Sequence, residues 1–106
     1  MAKYLVKGNY VGNGIAGLLQ DGGTARRDAA TAAIESLGGT VESFYFAFGD
    51  TDVIAILDVP DEASAIALSL LINASGAVSL SLTPLISPET VDAASKLSPS
   101  YRPPGG

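Results

Sequence analysis

The amino-acid sequence predicts an α+β domain with the element order βαββαβ, a four-stranded antiparallel sheet, both main helices on one face, and a short extra helix near the C-terminus. Two observations carry this prediction. Short segments that alternate between apolar and polar residues, as strands do, are separated by two longer segments with the apolar spacing of helices. The chain has 106 residues, 47% of them hydrophobic, which is the size and composition of one domain with one core.

The first half of the chain begins with a strand and continues with helical segments. Residues 3–9 mix apolar residues with lysines and end in a Gly-Asn turn, which predicts a short strand. Residues 11–20 show weak helical spacing in spite of their glycines. Residues 24–37 predict the first main helix, because alanines fill it, Thr24 can cap its first turn, and two glycines follow it.

A hairpin of two strands is predicted next. Residues 40–49 carry three phenylalanines at alternate positions, which predicts that one face of this strand lies in the core: Phe44, Phe46 and Phe48. After the turn at residues 49–52, residues 53–59 are apolar on both faces until Asp58. A strand of this kind is expected to be covered on both sides.

The second half of the chain completes the predicted fold. Residues 61–76 begin with acidic residues and carry a wide apolar face, which predicts the second main helix. Residues 77–85 alternate most regularly and predict the last strand. Pro88 then opens a short helix, and the tail of residues 99–106 is expected to be extended. We therefore expect one domain over residues 1–98 with the element order of a ferredoxin-like fold.

One face of the predicted sheet has no helix to cover it. Its predicted occupants are too apolar for open water and too small for a tight core. Packing against a second copy of the chain resolves this conflict, and two facing sheets would enclose a natural ligand pocket. The predicted occupants are Ser43, Tyr45, Ala47, Ala55, Leu57, Ser79, Ser81 and Thr83.

The composition excludes several classes of function. Six basic against eleven acidic residues give a formal charge of −5, which disfavours nucleic acid and anionic membrane surfaces as partners. Cysteine and histidine are both absent, which excludes thiol and Ser-His-Asp catalysis and most zinc, haem and iron sites, so no cofactor and no metal are expected. The first ten residues have no export signal and no segment is long enough to span a membrane, so a cytoplasmic location is expected.

The bare face and the hairpin turn supply candidate ligand-binding residues. Tyr45 lies at the middle of its strand and can touch a bound molecule, together with Ser79, Ser81 and Thr83. A tyrosine ring that fills space between two subunits explains Tyr45 as well. Asp50 and Asp52 flank the turn, where they can hold a cation or act as a base, but turns more often use aspartate for local hydrogen bonds.

The start of the first main helix is a candidate anion site. Thr24, Arg26 and Arg27 follow a Gly-Gly pair, so free backbone N–H groups, a hydroxyl and two guanidinium groups can meet a phosphate or carboxylate. The alternative is that Thr24 only caps the helix while the two arginines pair with Asp21 or Asp28.

Four stretches of the sequence together resemble the GYD-domain family, small bacterial proteins named for a Gly-Tyr-Asp signature. They are MAKYLVKGNY, GGTARR, ESLGGTVESFYFAFGDTDVIAI and INASGAV. Gly49 and Asp52 stand where the family's glycine and aspartate would be, but Thr51 occupies the place of the tyrosine. The resemblance implies a ferredoxin-like fold of the dimeric α/β-barrel kind, and it implies no established activity.

Three hypotheses about function follow. The leading one is a small-molecule-binding homo-oligomer whose partner is a second copy of the chain, because the bare face is rich in hydroxyl groups and the chain lacks His, Cys and Trp. The alternative is a cofactor-independent enzyme of the dimeric α/β-barrel type, an oxygenase or isomerase, with Tyr45 and Asp50 or Asp52 as acid/base groups. A purely structural self-assembly protein fits the alanine-rich helices equally well.

Overall fold

The structure, a computed structural model, describes residues 1–106. It confirms the α+β class, with four strands and four helices in the order β-α-α-β-β-α-β-α. The additional element in the first half is the weakly predicted helix. In chain order the elements are β1 (Ala2–Tyr10), α1 (Gly14–Asp21), α2 (Gly23–Ser36), β2 (Thr40–Phe46), β3 (Val53–Val59), α3 (Glu62–Ala74), β4 (Val78–Pro84) and α4 (Pro88–Ser95).

The four strands form one antiparallel sheet in the order β2-β3-β1-β4, as a ferredoxin-like fold requires. The two central strands, β1 and β3, are therefore paired on both sides. The register of β2 against β3 shifts between Val41 and Ser43, which leaves Glu42 as an extra residue on β2. None of the four helices combines the length and the hydrophobicity that a membrane crossing requires.

The main helices begin at residues that differ in how they cap the first turn. Asp61 precedes α3 and its carboxylate accepts a hydrogen bond from the backbone N–H of Ser64 (2.8 Å), as an N-cap should. The predicted cap of α2 is wrong. Gly22 occupies the N-cap position with φ of 85°, a conformation that favours glycine, and Thr24 lies inside the first turn without capping it.

The core lies between the sheet and its helices. Its main cluster is formed by Val6, Ile34, Ala55, Leu57 and Leu68, each at most 6% exposed. Ala55 and Leu57 were predicted on the bare face, and this prediction is wrong. The strand 53–59 is apolar at nearly every position, so its pattern alone did not decide which alternate set faces the helices.

Phe48 also departs from its predicted place in the core. β2 ends at Phe46, and Phe48 has φ of 54° and is 61% exposed. The alternation that runs through Phe44 and Phe46 therefore stops before it. The ring of Phe48 instead stacks on Phe46, with centroids 5.8 Å apart and planes 5° from parallel.

The C-terminal arm, residues 85–106, extends away from the sheet. No residue of α4 is buried, and Val91, Leu97 and Tyr101 are all more than half exposed. The radius of gyration is 17.1 Å, whereas a compact chain of this length has one of about 13 Å. The arm therefore adds length to the molecule without adding to its core.

Candidate ligand-binding site

A cavity of about 320 Å³ lies between the sheet, α2 and α3. We call it the helix-side cavity. Sixteen of its eighteen lining residues are hydrophobic, and its deepest wall is formed by the buried side chains of Ile34, Leu57 and Leu68. Ligand pockets in proteins commonly measure about 300–1,000 Å³ and are mostly apolar with a few polar groups. The cavity fits this description.

The cavity exists because α2 presents small side chains to the sheet. Ala29, Ala30 and Ala33 line it from this helix. The two main helices also rest on different strands, α2 on β2 and α3 on β3 and β4, which leaves a cleft between them. Leu71 of α3 lines the cavity while being 70% exposed, so the cleft opens to solvent beside it.

The polar groups of the lining are few. The hydroxyl of Ser75 already donates a hydrogen bond to the carbonyl of Ile72 (2.6 Å). Tyr10, at the end of β1, and Arg26, in the first turns of α2, bring the remaining polar side chains. Burial raises the pKa of the Tyr10 hydroxyl above 10.0, with the nearby positive charge of Arg26 opposing this rise. Tyr10 therefore stays protonated at neutral pH and can donate a hydrogen bond.

The structure separates the residues of the predicted anion site. Arg26 lines the helix-side cavity, and its ion pair with Asp21 is long, at 3.9 Å. Arg27 points elsewhere and donates from both Nε and Nη2 to the carboxylate of Asp28, at 3.3 and 3.1 Å. Thr24 is exposed. Arg26 is the one member of this group that lines the helix-side cavity.

The two aspartates of the hairpin turn differ in their surroundings. Asp50 is exposed in the turn. The carboxylate of Asp52 accepts a hydrogen bond from the backbone N–H of Tyr10 (3.0 Å), and its own N–H donates to the side-chain oxygen of Asn9 (3.0 Å). These bonds tie the turn to the end of β1. No three carboxylates converge in a way that could hold a metal ion.

The helix-free face of the sheet, opposite the helices, carries the other predicted residues. Across the four strands, Tyr45 pairs with Ile54, Ile54 with Lys7, and Lys7 with Ser81. Thr83 and Ser79 lie on β4 two residues to either side of Ser81, so they share this face. The four predicted ligand-binding residues are therefore on one surface, and their binding role stays a prediction.

The centre of the helix-free face is more apolar than the sequence predicted. In the positions assigned to Ala55 and Leu57, this face carries Ile54 and Ile56, both half-buried, beside Leu5 of β1. Lys3 borders this strip and bonds two carboxylates, Glu42 at 2.6 Å and Asp58 at 3.3 Å. The hydrogen bond to Glu42 raises the pKa of the Lys3 amine.

A second space of about 490 Å³ lies where the arm leaves the sheet. Lys3, Asp58, Ser87 and Thr90 are the polar or charged residues among its ten lining residues, and four of the ten belong to the arm. Its shape depends on how the arm lies against the start of β1 and the ends of β3 and β4. It therefore offers a less defined environment than the helix-side cavity.

Sequence reasoning missed Tyr10 and the helix-side cavity. Tyr10 follows the Gly-Asn turn that was expected to end the first strand, but β1 continues through it. The alanines of α2 at 29, 30 and 33 were the available signal, because a helix that rests on a sheet through alanines leaves space beside it.

A comparison with known protein families shows which family the chain belongs to. The family model for the GYD domain matches residues 4–94. This protein belongs to the GYD-domain family. The match covers the sheet except for the first two residues of β1, the main helices and most of α4, and ends before the tail. No curated protein and no solved structure matched the chain.

Proposed function

We propose that this GYD-domain protein binds a small molecule in the helix-side cavity and acts as a homo-oligomer. The observation that carries the proposal is an apolar cleft of about 320 Å³ between the sheet, α2 and α3, which opens to solvent beside Leu71. A ligand seated in this cleft would remove its apolar lining from water, and the burial of apolar surface favours binding.

Self-association is supported by the helix-free face. An antiparallel sheet with one face in water normally shows polar residues on that face. Here Leu5, Ile54 and Ile56 form an apolar strip across the two central strands, with Tyr45 beside it, 69% exposed. A second copy packed sheet to sheet would cover this strip and bury the tyrosine ring.

Cavity-filling variants test the binding proposal. Ala30 lines the cavity, whereas Ala32 on the same helix is exposed. We expect Ala30→Leu to weaken binding of the neutral fluorescent probe N-phenyl-1-naphthylamine by about tenfold or more, because the added side chain takes up the space. Ala32→Leu is the matched control and should bind as the unmodified protein does. Equal binding by both variants, or no binding by the unmodified protein, would contradict the proposal.

A charge placed on each side of the domain tests the oligomer. Tyr45 on the helix-free face and Leu70 on α3 are similarly exposed, at 69% and 67%. We expect Tyr45→Lys to yield monomers, because a two-fold contact would bring the new charges of both copies together. Leu70→Lys should leave the oligomer intact. Light scattering coupled to size-exclusion chromatography measures both, and a monomeric unmodified protein would overturn this part of the proposal.

A further inference from the structure

The distribution of polar groups around the helix-side cavity indicates what kind of molecule fits it. Resting on the proposed function, we propose that the ligand is an apolar organic anion, with its carboxylate at Arg26 and Tyr10 and its apolar body against Ile34, Leu57 and Leu68. The inference names a ligand class for the cavity and a role for two side chains.

The cavity has two unlike ends. Tyr10 lies at the end of β1 and pairs with Val78 at the start of β4, and Arg26 comes from the first turns of α2. At depth, Ile34, Leu57 and Leu68 are 2–4% exposed and bring no polar side-chain atoms. A ligand that satisfies both ends has a polar head and an apolar body, because an unpaired polar group at the deep end would lose its hydrogen bonds with water.

The hydrogen-bond donors of Arg26 indicate that the polar group of the ligand is negatively charged. Its guanidinium has five N–H donors, and its ion pair with Asp21 measures 3.9 Å, beyond hydrogen-bond distance. Apart from the one that contacts the Tyr10 hydroxyl, the donors of Arg26 are thus available to an incoming group. Planar guanidinium groups bind carboxylates through two parallel hydrogen bonds, which favours a carboxylate head over a neutral one.

Tyr10 supplies a neutral donor beside this cation. Like any ordinary tyrosine, Tyr10 is protonated at neutral pH, and burial raises the pKa of its hydroxyl further, so it does not repel an anion. The nearby carboxylate of Asp52 is held by the backbone N–H of Tyr10. Arg26 is the one cationic residue that lines the cavity, with Asp21 beside it and Asp52 beside Tyr10, so a carboxylate head has to take the place of Asp21 at the guanidinium.

Matched ligands and matched arginine variants test the inference. The full-length protein is loaded with N-phenyl-1-naphthylamine, and decanoate or decanol is used to displace it. These two competitors share an apolar chain and differ in the charge of the head. We expect decanoate to bind about tenfold more tightly than decanol, which corresponds to one charge-assisted hydrogen-bonded pair. Added salt should reduce the difference.

The variants assign the preference to one residue. Arg26→Gln should bind decanoate and decanol equally, and Arg26→Lys should keep part of the preference because it keeps the charge. Arg27→Gln is the matched control, since Arg27 is paired with Asp28 away from the cavity, and it should keep the full preference. Circular dichroism confirms that each variant is folded.

The outcomes separate this inference from the proposed function. If the probe and decanol bind but decanoate has no advantage, or if Arg26→Gln keeps the advantage, the ligand class is wrong while the cavity still binds. If neither the probe nor decanol binds, the proposed function itself fails. A preference for decanoate that disappears with Arg26→Gln alone supports both.

Discussion

The two faces of the sheet are both apolar at their centres, but they differ in what covers them. On the helix side, α2 and α3 lie over the core, and the alanines of α2 leave a cavity large enough for a ligand. On the helix-free face, half-buried Ile54 and Ile56 of β3 lie beside Lys7 and Ser81, with nothing above them in the single chain. The difference is the reason for proposing the ligand site on one face and the subunit contact on the other.

The largest expected effect distinguishes the two faces by their contribution to folding. Leu68 is 3% exposed in the core, so Leu68→Ala should lower the free energy of unfolding by about 2–5 kcal/mol. Ile56→Ala on the helix-free face should lower the free energy of unfolding by less in dilute solution. This loss should grow with protein concentration, because the proposed oligomer buries Ile56. Urea denaturation at two protein concentrations measures both. If both variants lost the same free energy of unfolding at both protein concentrations, the claim that one face is core and the other a subunit contact would be contradicted.

A smaller effect is expected where α1 approaches the start of β4. A methyl group on Gly14 would collide with the carbonyl oxygen of Ala77, whereas one on Gly17 of the same helix would meet no atom within 4 Å. Gly14→Ala should therefore destabilise the protein by about 1–3 kcal/mol. Gly17→Ala should stabilise it by about 0.5–1 kcal/mol, because alanine is the better helix former. Thermal melts compare the two variants, and similar melting temperatures would show that α1 does not lie against this turn.

The smallest expected effect concerns the cap of α3, which holds the helix-side wall of the cavity. The backbone N–H of Ser64 lowers the pKa of the Asp61 carboxyl below its ordinary value of 3.8. A lowered pKa in the folded state contributes stability above pH 3.8 that is lost as the pH falls through the folded value. The melting temperature should therefore drop in strong acid.

Asp61→Asn is the variant that isolates this titration. Asparagine caps a helix about as well as aspartate but does not ionise in this range, so the acid-induced drop should be smaller than in the unmodified protein. Melting temperatures at about pH 5 and about pH 2 give the comparison. An equal drop in melting temperature for the variant and the unmodified protein would show that Asp61 does not contribute to the pH dependence.

The fold was largely predictable, because the patterns that predict its strands and helices lie within short segments of the sequence. Alternation and helical spacing predicted the element order, and a Pro-Asp-Glu segment at the start of α3 and a Ser-Pro-Glu segment at the start of α4 marked where both helices begin. The faces of β3 were less clear, since six of its seven residues are apolar. Asp58 held the deciding signal: it lies on the helix-free face, and Ile54 and Ile56 alternate with it.

The candidate site was less predictable, because it depends on distances between elements. The cavity arises from where α2 rests relative to α3, and no spacing within either helix encodes that separation. Arg26 was recognised as a candidate from its place at a helix start, but Tyr10 becomes its neighbour only after the chain folds. Phe48 was wrongly predicted in the core, because the sequence continues the alternation of Phe44 and Phe46 while the positive φ of Phe48 ends it in the structure.

A titration followed by ¹H–¹⁵N NMR tests most directly the claim that the ligand lies on the helix side and the second copy on the other. Decanoate would be added to the labelled full-length protein, and the amide shifts would be mapped onto the two faces. The account predicts the largest shifts at Tyr10, Arg26 and Ala30, with Tyr45 and Ser81 little changed. Shifts concentrated at Tyr45 and Ser81, with the α2 amides unmoved, would contradict it and assign the ligand to the helix-free face.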